Sequence, residues 1–215
     1  MIKTENLSEP EIISRITRGE KSLFEILVKK YNGCLYKIGR SYNFTHEDTR
    51  DLMQDSFVDA YKNLHQFENR ASLKTWMIRI MMNNCYRKMQ RLRYKYETVL
   101  NPPENSTPMF YNSNNDTGKI VQSRELKKIM EDALSKIPFD YRIVFALKEI
   151  NGLKISETAQ LLNLTESNVK TRLTRSKKFL RTEIEKSFNA SELFEFNLIY
   201  CNAVTEEVMK RINAL

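Results

Sequence analysis

Glycine, proline, cysteine and histidine are all scarce in this chain of 215 residues, which contains five, five, three and two of them. So few glycines and prolines argue against a turn-rich β fold and favour long helices. The cysteines are far apart and form no CxxC pair, so we expect neither a disulfide framework nor a structural zinc site from Cys34, Cys85 and Cys201. We therefore predict an all-α protein with reduced, buried thiols and no cofactor.

Long apolar runs and recognisable catalytic motifs are also missing. No stretch approaches the length of a membrane span, and the first residues, MIKTENLSEPE, lack the apolar core of a signal peptide. No GxxxxGK[ST], HExxH or GxSxG motif occurs, and neither His46 nor His65 has an obvious catalytic partner. We expect a cytoplasmic protein that does not insert into the membrane, is not an enzyme and has no catalytic residue.

Positive charge, in contrast, is abundant. Lys and Arg number 35 against 27 Asp and Glu, which gives a formal net charge of +8. This balance favours a polyanionic partner, either nucleic acid or an acidic membrane surface, and of the two the composition favours nucleic acid.

The chain divides by pattern into four parts. Apolar residues recur at helical spacing in the first part, and Ser8 with Glu11 predicts a capping box at its start. A stretch rich in Asn, Ser, Thr and Pro follows, which is typical of an extended linker, before the helical pattern returns. The prediction is two small helical domains, at residues 8–96 and 120–188. A flexible linker at 97–119 joins them, and a C-terminal helical extension follows at 189–215.

The most specific pattern is INGLKISETAQLLNLTESNVKTRLTRSKKFLR, at 150–181. Gly152 ends one helix, Ser156 is placed to cap the next, and Thr165 is placed to cap a third helix that turns basic. The small Ala159 lets two helices cross closely, as a helix-turn-helix requires. A solvated basic helix on an ordinary bundle is the alternative, but the complete spacing favours the helix-turn-helix.

This segment resembles the carboxy-terminal, promoter-reading domain of bacterial RNA polymerase sigma factors of the extracytoplasmic-function group. The matching positions are Gly152, Leu153, Ala159, Leu162, Val169, Lys170, Arg172, Leu173 and Arg175. Asn163 replaces the usual glycine, and Thr158 occupies a usually apolar position, where packing is expected to be weaker. The resemblance implies that the basic helix reads the minus-thirty-five element as duplex through Ser167, Asn168, Lys170, Thr171, Arg172, Thr174, Arg175 and Lys178.

A second helix, around SLKTWMIRIMMNNCYRKMQR at 72–91, carries the only tryptophan. Its apolar stripe predicts a core face made of Ile78, Met82, Cys85, Met89 and Leu92. The other side, which carries Trp76, Ile80, Asn83, Arg87 and Arg91, is typical of a single-strand-binding surface that combines a ring, amides and cations. Periodicity leaves open a second reading, in which Trp76 fills another core contact.

The segment from Phe67 to Arg91 is similar to the part of sigma factors that recognises and opens the minus-ten element. Thr75 lies on a matching position, and Met77 stands where housekeeping sigma factors have a second tryptophan. By resemblance, the loop at 67–74 forms a pocket for a flipped base. The implied minus-ten residues are Phe67, Asn69, Arg70, Ser72, Lys74, Trp76, Arg79, Ile80, Asn83, Asn84, Arg87 and Arg91.

Upstream, HEDTRDLMQDSFVDAYKNLHQF follows Thr45, which is placed to cap a helix. Its core stripe is predicted to be Met53, Phe57, Ala60, Tyr61 and Leu64. Aspartates recur on another face, where the lack of a second ligand set favours a partner-facing side over a cation site. The resemblance implies docking on the clamp helices of the polymerase β′ subunit through Asp51, Leu52, Gln54, Asp55 and Asp59.

Together with the resemblance, these features predict a sigma factor that binds core RNA polymerase and promoter DNA, and the resemblance implies contacts with the β′ clamp helices and the β flap. By resemblance, an anti-sigma factor is a further partner. The alternative is an autonomous helix-turn-helix regulator, which would not need the tryptophan helix or the acidic face. The linker either spans the two promoter elements or is an idle tether. The extension either covers the second domain or folds over the basic reading helix to restrain DNA binding.

Overall fold

The computed structural model describes residues 7–96 and 128–187, together with Thr205, 207–210 and Ile212. In the two long stretches every regular element is a helix, which confirms the all-α prediction. The helices are α1 Glu9–Thr17, α2 Phe24–Ser41, α3 His46–Asn63, α4 Leu73–Tyr96, α5 128–136, α6 Phe139–Phe145, α7 Ile155–Leu162 and α8 Glu166–Ser187. Short 3₁₀ turns lie at Lys21–Leu23 and Leu64–Gln66, and a π-helical turn, Ala146–Ile150, extends α6.

Two predicted parts fall largely outside the described residues. The linker at 97–119 lies wholly outside them. Of the extension at 189–215, six residues are described, and Val208, Met209 and Ile212 among them are about half exposed. None of the helices in the described part of the chain is long and apolar enough to cross a bilayer.

The first domain, within 7–96, is the bundle α1 to α4. Apolar side chains on α2 recur every three or four residues and are fully or nearly fully buried, at Leu27, Tyr31, Leu35 and Ile38. Gly39 sits where α2 meets α3 and α4: an added Cβ would lie 2.6 Å from Thr49 Cγ2 and 2.8 Å from Met81 Cε. A glycine here therefore sets how closely the three helices approach.

Helix starts in the first domain only partly follow the sequence signals. The Thr45 hydroxyl accepts a hydrogen bond from Asp48 N at 3.1 Å, which confirms this cap. Ser8 is also the residue before a helix, but its side chain makes no capping hydrogen bond, so the predicted capping box is wrong.

The second domain, within 128–187, contains the predicted helix-turn-helix as α7 and α8. Asn163 takes the left-handed conformation, with φ 53° and ψ 47°, which Asn accepts better than most residues. Thr165 accepts a hydrogen bond from Asn168 N at 3.2 Å and caps α8 as predicted. The predicted cap at Ser156 is wrong, because α7 already begins at Ile155.

The helices α7 and α8 share a buried cluster, as the small residue at 159 predicts. Ala159, Val144 and Val169 form a buried cluster with Leu162, Leu164 and Leu173 against it. Thr158 is fully buried, and its hydroxyl is satisfied by donating to Lys154 O at 3.0 Å. The expectation of weaker packing at this polar position is therefore not met.

Candidate nucleic-acid interface

The helix α4 is anchored by one side and exposes the other. Ile78, Met82 and Cys85 are buried, and Met89 and Leu92 pack partly buried against them, which confirms the predicted core stripe. Met77 and Met81 are buried as well. The helix therefore buries two adjacent faces, and its orientation is fixed by the core.

Trp76 lies at the edge of that core. It is partly buried and packs against the core, and its ring centroid is 5.4 Å from that of Phe67, with the two rings tilted by 54°. Trp76 therefore fits both predicted alternatives in part, the core contact and the single-strand-binding surface. One side of the indole packs inside, and the aromatic pair forms a platform at the head of α4, next to the rest of the loop, at 68–72.

The outer face of α4 is polar and basic. Arg79, Asn83, Arg87 and Arg91 are all exposed and recur every four residues, so they form one stripe. Tyr86, which sequence reasoning missed, is 54% exposed one helical turn from Asn83. The signal that marks it is an aromatic residue placed inside a basic face rather than on the apolar stripe.

Asn84 differs from its neighbours. It is only 7% exposed, and its amide donates to Ser56 Oγ and Asp59 Oδ2, both at 3.0 Å. These bonds join α4 to α3, so this residue holds the two helices together. Its burial does not favour direct contact with DNA.

The loop before α4 presents both free and engaged polar groups. Asn69 has a positive φ of 57°, and Arg70, which is exposed, pairs with Glu68 at 2.5 Å. Ser72 Oγ accepts from Thr75 N at 3.1 Å and so caps α4. Lys74, predicted to lie in the loop, is in the first turn of α4 instead. Its ammonium donates to the carbonyl of Asn151 in the second domain, which leaves it less available than its exposed neighbours.

The basic helix α8 is held by a thin buried strip, and most of its polar residues are free to face outward. Lys170, Thr171, Thr174 and Lys178 are exposed, as are Ser167, Asn168 and Arg175. Arg175 donates to the Tyr141 hydroxyl at 3.2 Å, and Arg172 is partly buried at 3.7 Å from Asp140 Oδ2. The structure thus brings the predicted minus-thirty-five residues onto one helix, with Arg172 turned toward α6.

The acidic residues of α3 line a groove of about 680 Å³ between α3 and α4. One wall carries Asp51, Asp55 and Asp59, and the facing wall carries Arg87, Lys88 and Arg91. Gln54 is exposed nearby, whereas Leu52 is 5% exposed and belongs to the core. No cluster with metal-site geometry occurs among the described histidines, cysteines and carboxylates.

Two family profiles match the two domains. Residues 27–94 match sigma-70 region 2, and residues 127–180 match sigma-70 region 4. The fold and the two basic helices therefore define a bacterial sigma-70 family protein.

Curated relatives place the chain within that family. It is 26% identical over 185 residues to the ECF RNA polymerase sigma-E factor of Haemophilus influenzae, covering 84% of this chain and 97% of the relative. It is 22% identical over 192 residues to the Escherichia coli K12 protein of the same name, covering 85% and 97%. The chain belongs to the extracytoplasmic-function (ECF) sigma factors.

Solved structures show the same fold. CnrH in complex with the cytosolic domain of CnrY matches with a TM-score of 0.60 at 22% identity, over 82% of this chain and 97% of that one. The Bartonella quintana sigma factor RpoE, in complex with the anti-sigma factor NepR, matches with a TM-score of 0.60 at 21% identity, over 75% and 96%.

Proposed function

We propose that this sigma factor docks on core RNA polymerase through α3, opens the minus-ten element with α4 and reads the minus-thirty-five element with α8. The observation that carries this division of labour is the presence of two separate basic helices, one in each sigma-70 region, with an acidic face beside the first. The chain supplies promoter choice and strand opening in the cytoplasm, and the polymerisation chemistry belongs to the core enzyme.

The minus-ten surface is the platform of Phe67 and Trp76, the segment at 67–74, which comprises the loop and the start of α4, and the exposed stripe on α4. Unstacking a base costs a few kcal/mol, and each base stacked on an aromatic ring returns about 1 to 3 kcal/mol. Several contacts are therefore needed to trap an open bubble. The stripe supplies cations for the backbone and the amide of Asn83 for a base edge.

Tyr86 extends this surface away from the head of the helix. Its exposed ring lies on the same side as Asn83 and Arg87, where it is suited to contact a base or the sugar-phosphate backbone. Replacing it with alanine should shorten or weaken the footprint at the upstream edge of the minus-ten element. An unchanged footprint would remove Tyr86 from the surface.

The minus-thirty-five surface is α8. The residues near its start, from Ser167 to Thr171, are placed to meet base edges in the major groove, and the later cations are placed on phosphates. Arg172 adds positive charge to this surface, although its contact with Asp140 draws it toward the protein.

The acidic wall of the α3–α4 groove is the proposed polymerase-docking face, and its complement is a basic surface on the β′ clamp helices. Asp51, Gln54 and Asp55 are exposed and available for this contact. Leu52 supports the face from inside. The second domain would meet the β flap.

An anti-sigma factor is a proposed partner as well. RpoE of Bartonella quintana, which shares the fold, was solved with an anti-sigma factor, and CnrH was solved with the cytosolic domain of CnrY. We expect a protein of that class to compete with core polymerase for this chain.

Promoter opening tests the function. The purified chain is added to sigma-free core polymerase and a promoter library, and unpaired thymines are mapped with permanganate. We expect bubbles that require both protein and core. Tight duplex binding by the chain alone, without core association or a bubble, would instead support the autonomous regulator.

A charge variant with a matched control tests the docking face. Asp55→Asn should weaken association with core polymerase and leave duplex binding by α8 unchanged. Glu25→Gln, which neutralises an exposed carboxylate on α2, should leave both intact. Equal behaviour of the two variants would contradict docking through α3.

A further inference from the structure

The two domains share a hydrophobic interface. Ile143, Leu147 and Leu153 of the second domain are buried in the same cluster as the core of the first domain. The ring of Phe139 lies 5.0 Å from that of Tyr42, in an edge-to-face arrangement. Apolar burial of this kind favours a docked arrangement of the domains, since separation would expose these side chains to water.

A buried arginine joins the domains by hydrogen bonds. Arg142 is 7% exposed, and its Nε donates to Ser41 O of α2 at 2.8 Å. The same guanidinium donates to Ser135 O and Ile137 O in its own domain, and Asn43 Nδ2 reaches Ser135 O at 3.3 Å. Burial lowers the pKa of Arg142 to about 10, so the guanidinium remains charged at neutral pH.

The second domain also occupies the head of α4. Lys74 donates to the carbonyl of Asn151, and Thr75 Oγ1 donates to Glu157 Oε1 at 2.9 Å. The other carboxylate oxygen of Glu157 accepts from Lys154 N at 2.8 Å, which fixes it at the start of α7. A carbonyl oxygen and a carboxylate thus fill the positions at which DNA would present acceptor oxygens to Lys74 and Thr75.

We propose that the first turn of α4 is a docking surface for the second domain, and that this intramolecular contact and the minus-ten strand exclude each other. The DNA half of this inference rests on the proposed function. The exposed residues of α8 lie outside the contact, so the closed chain retains its minus-thirty-five reading surface. Opening at the minus-ten element then requires the domains to separate.

A reversible cross-link at the far side of the interface tests the proposal. Asn43 and Ser135 meet across it and belong to neither proposed DNA surface, so both are replaced with cysteine, Asn43→Cys and Ser135→Cys. Cys201 is replaced with serine, whereas Cys34 and Cys85 remain, because burial raises the pKa of their thiols to about 11 and about 12. A two-carbon bis-methanethiosulfonate joins the new thiols, and dithiothreitol releases them.

We expect efficient intramolecular cross-linking of the chain alone and none in either single-cysteine variant. The cross-linked chain should bind minus-thirty-five duplex normally but open promoters with core at least about tenfold less, with recovery after reduction. Absent cross-linking, or equal opening before and after reduction, would overturn the proposal. If the wild-type chain also fails to open promoters with core, the proposed function fails, while the cross-linking yield still reports on the domain contact.

A point variant gives an independent reading. Glu157→Gln keeps an oxygen for the α7 cap but removes the charge that strengthens the bond from Thr75. Binding of the chain alone to the non-template minus-ten strand should rise about threefold over Glu185→Gln, which removes an equal charge from an exposed position of α8. Equal affinities of the two variants would contradict masking by Glu157.

Discussion

The helices α4 and α8 are both basic, yet they are held in the protein in different ways. Among the described side chains of α4, those at most 9% exposed include Met77, Ile78, Met81, Met82 and Cys85. On α8 the buried side chains, within 166–186, are Val169, Ser176 and Leu180. The core therefore fixes the rotation of α4 about its axis, whereas α8 exposes most of its circumference.

This difference matches the two tasks proposed for them. Capturing an extruded base needs a rigid pocket wall, and a helix embedded on two faces provides one. Reading a duplex in the major groove needs several outward side chains on one rod, and a thinly anchored helix provides those. Because they are exposed, the residues proposed to read DNA on α8 should be replaceable without loss of the fold.

Truncation of a buried side chain on each helix should show the largest difference. Met81→Ala removes a fully buried side chain packed against Gly39 and should lower the free energy of unfolding by about 2 to 5 kcal/mol. Leu180→Ala, at the edge of a smaller cluster, should cost about 2 kcal/mol, near the lower end of that range. Urea denaturation measures both, and equal losses would contradict the comparison.

The close approach of α2 to α4 can also be tested by adding a side chain on α2. Gly39→Ala would place a methyl group within 3 Å of Thr49 and Met81, and overpacking of this kind costs about 1 to 3 kcal/mol. Gly33 lies on the same helix with nothing within 4 Å of an added Cβ, so Gly33→Ala should stabilise the chain by about 0.5 to 1 kcal/mol. Thermal unfolding should therefore shift in opposite directions. If Gly33→Ala destabilised the chain, the space around the added Cβ would not decide whether a Gly→Ala substitution stabilises or destabilises this helix.

Local patterns predicted the elements of this comparison but not the contacts between them. The apolar stripe of α4 and the turn at Asn163 depend on residues a few positions apart, and both are confirmed. The resemblance places Asn84 and Leu52 on outer surfaces, but both are buried, because α3 packs against α4. A helical period of 3.6 residues fixes neighbours on one helix and leaves the facing helix undetermined.

The contact between the two domains is even less predictable from the helical period, because its residues are far apart in the sequence. Lys74 and Asn151 are 77 residues apart, and no spacing within either segment indicates that they meet. The resemblance implies a minus-ten DNA contact for Lys74 and indicates no contact within the chain. The structure shows that a carbonyl of the same chain suits it as well.

Removing the aromatic platform should affect promoter opening more than folding. Trp76→Ala should reduce open-complex formation by about 1 to 3 kcal/mol for each base that stacks on the ring, roughly fivefold to 150-fold. Trp76→Phe retains a ring and should recover most of the activity. Permanganate reactivity with core polymerase measures opening, and urea denaturation checks stability. Equal activity of the two variants would assign Trp76 to packing alone.

The smallest effect is expected for one cation on α8. Lys170 is exposed, so Lys170→Ala should leave stability unchanged, weaken minus-thirty-five duplex binding about threefold to tenfold at low salt, and reduce the salt slope by about one if it contacts a phosphate. Lys186→Ala, at the exposed far end of the same helix, should change neither quantity. If the loss of duplex affinity instead varied with the bases of the element and the salt slope stayed constant, Lys170 would contact a base edge. The exposed position of its side chain on α8 also permits that contact.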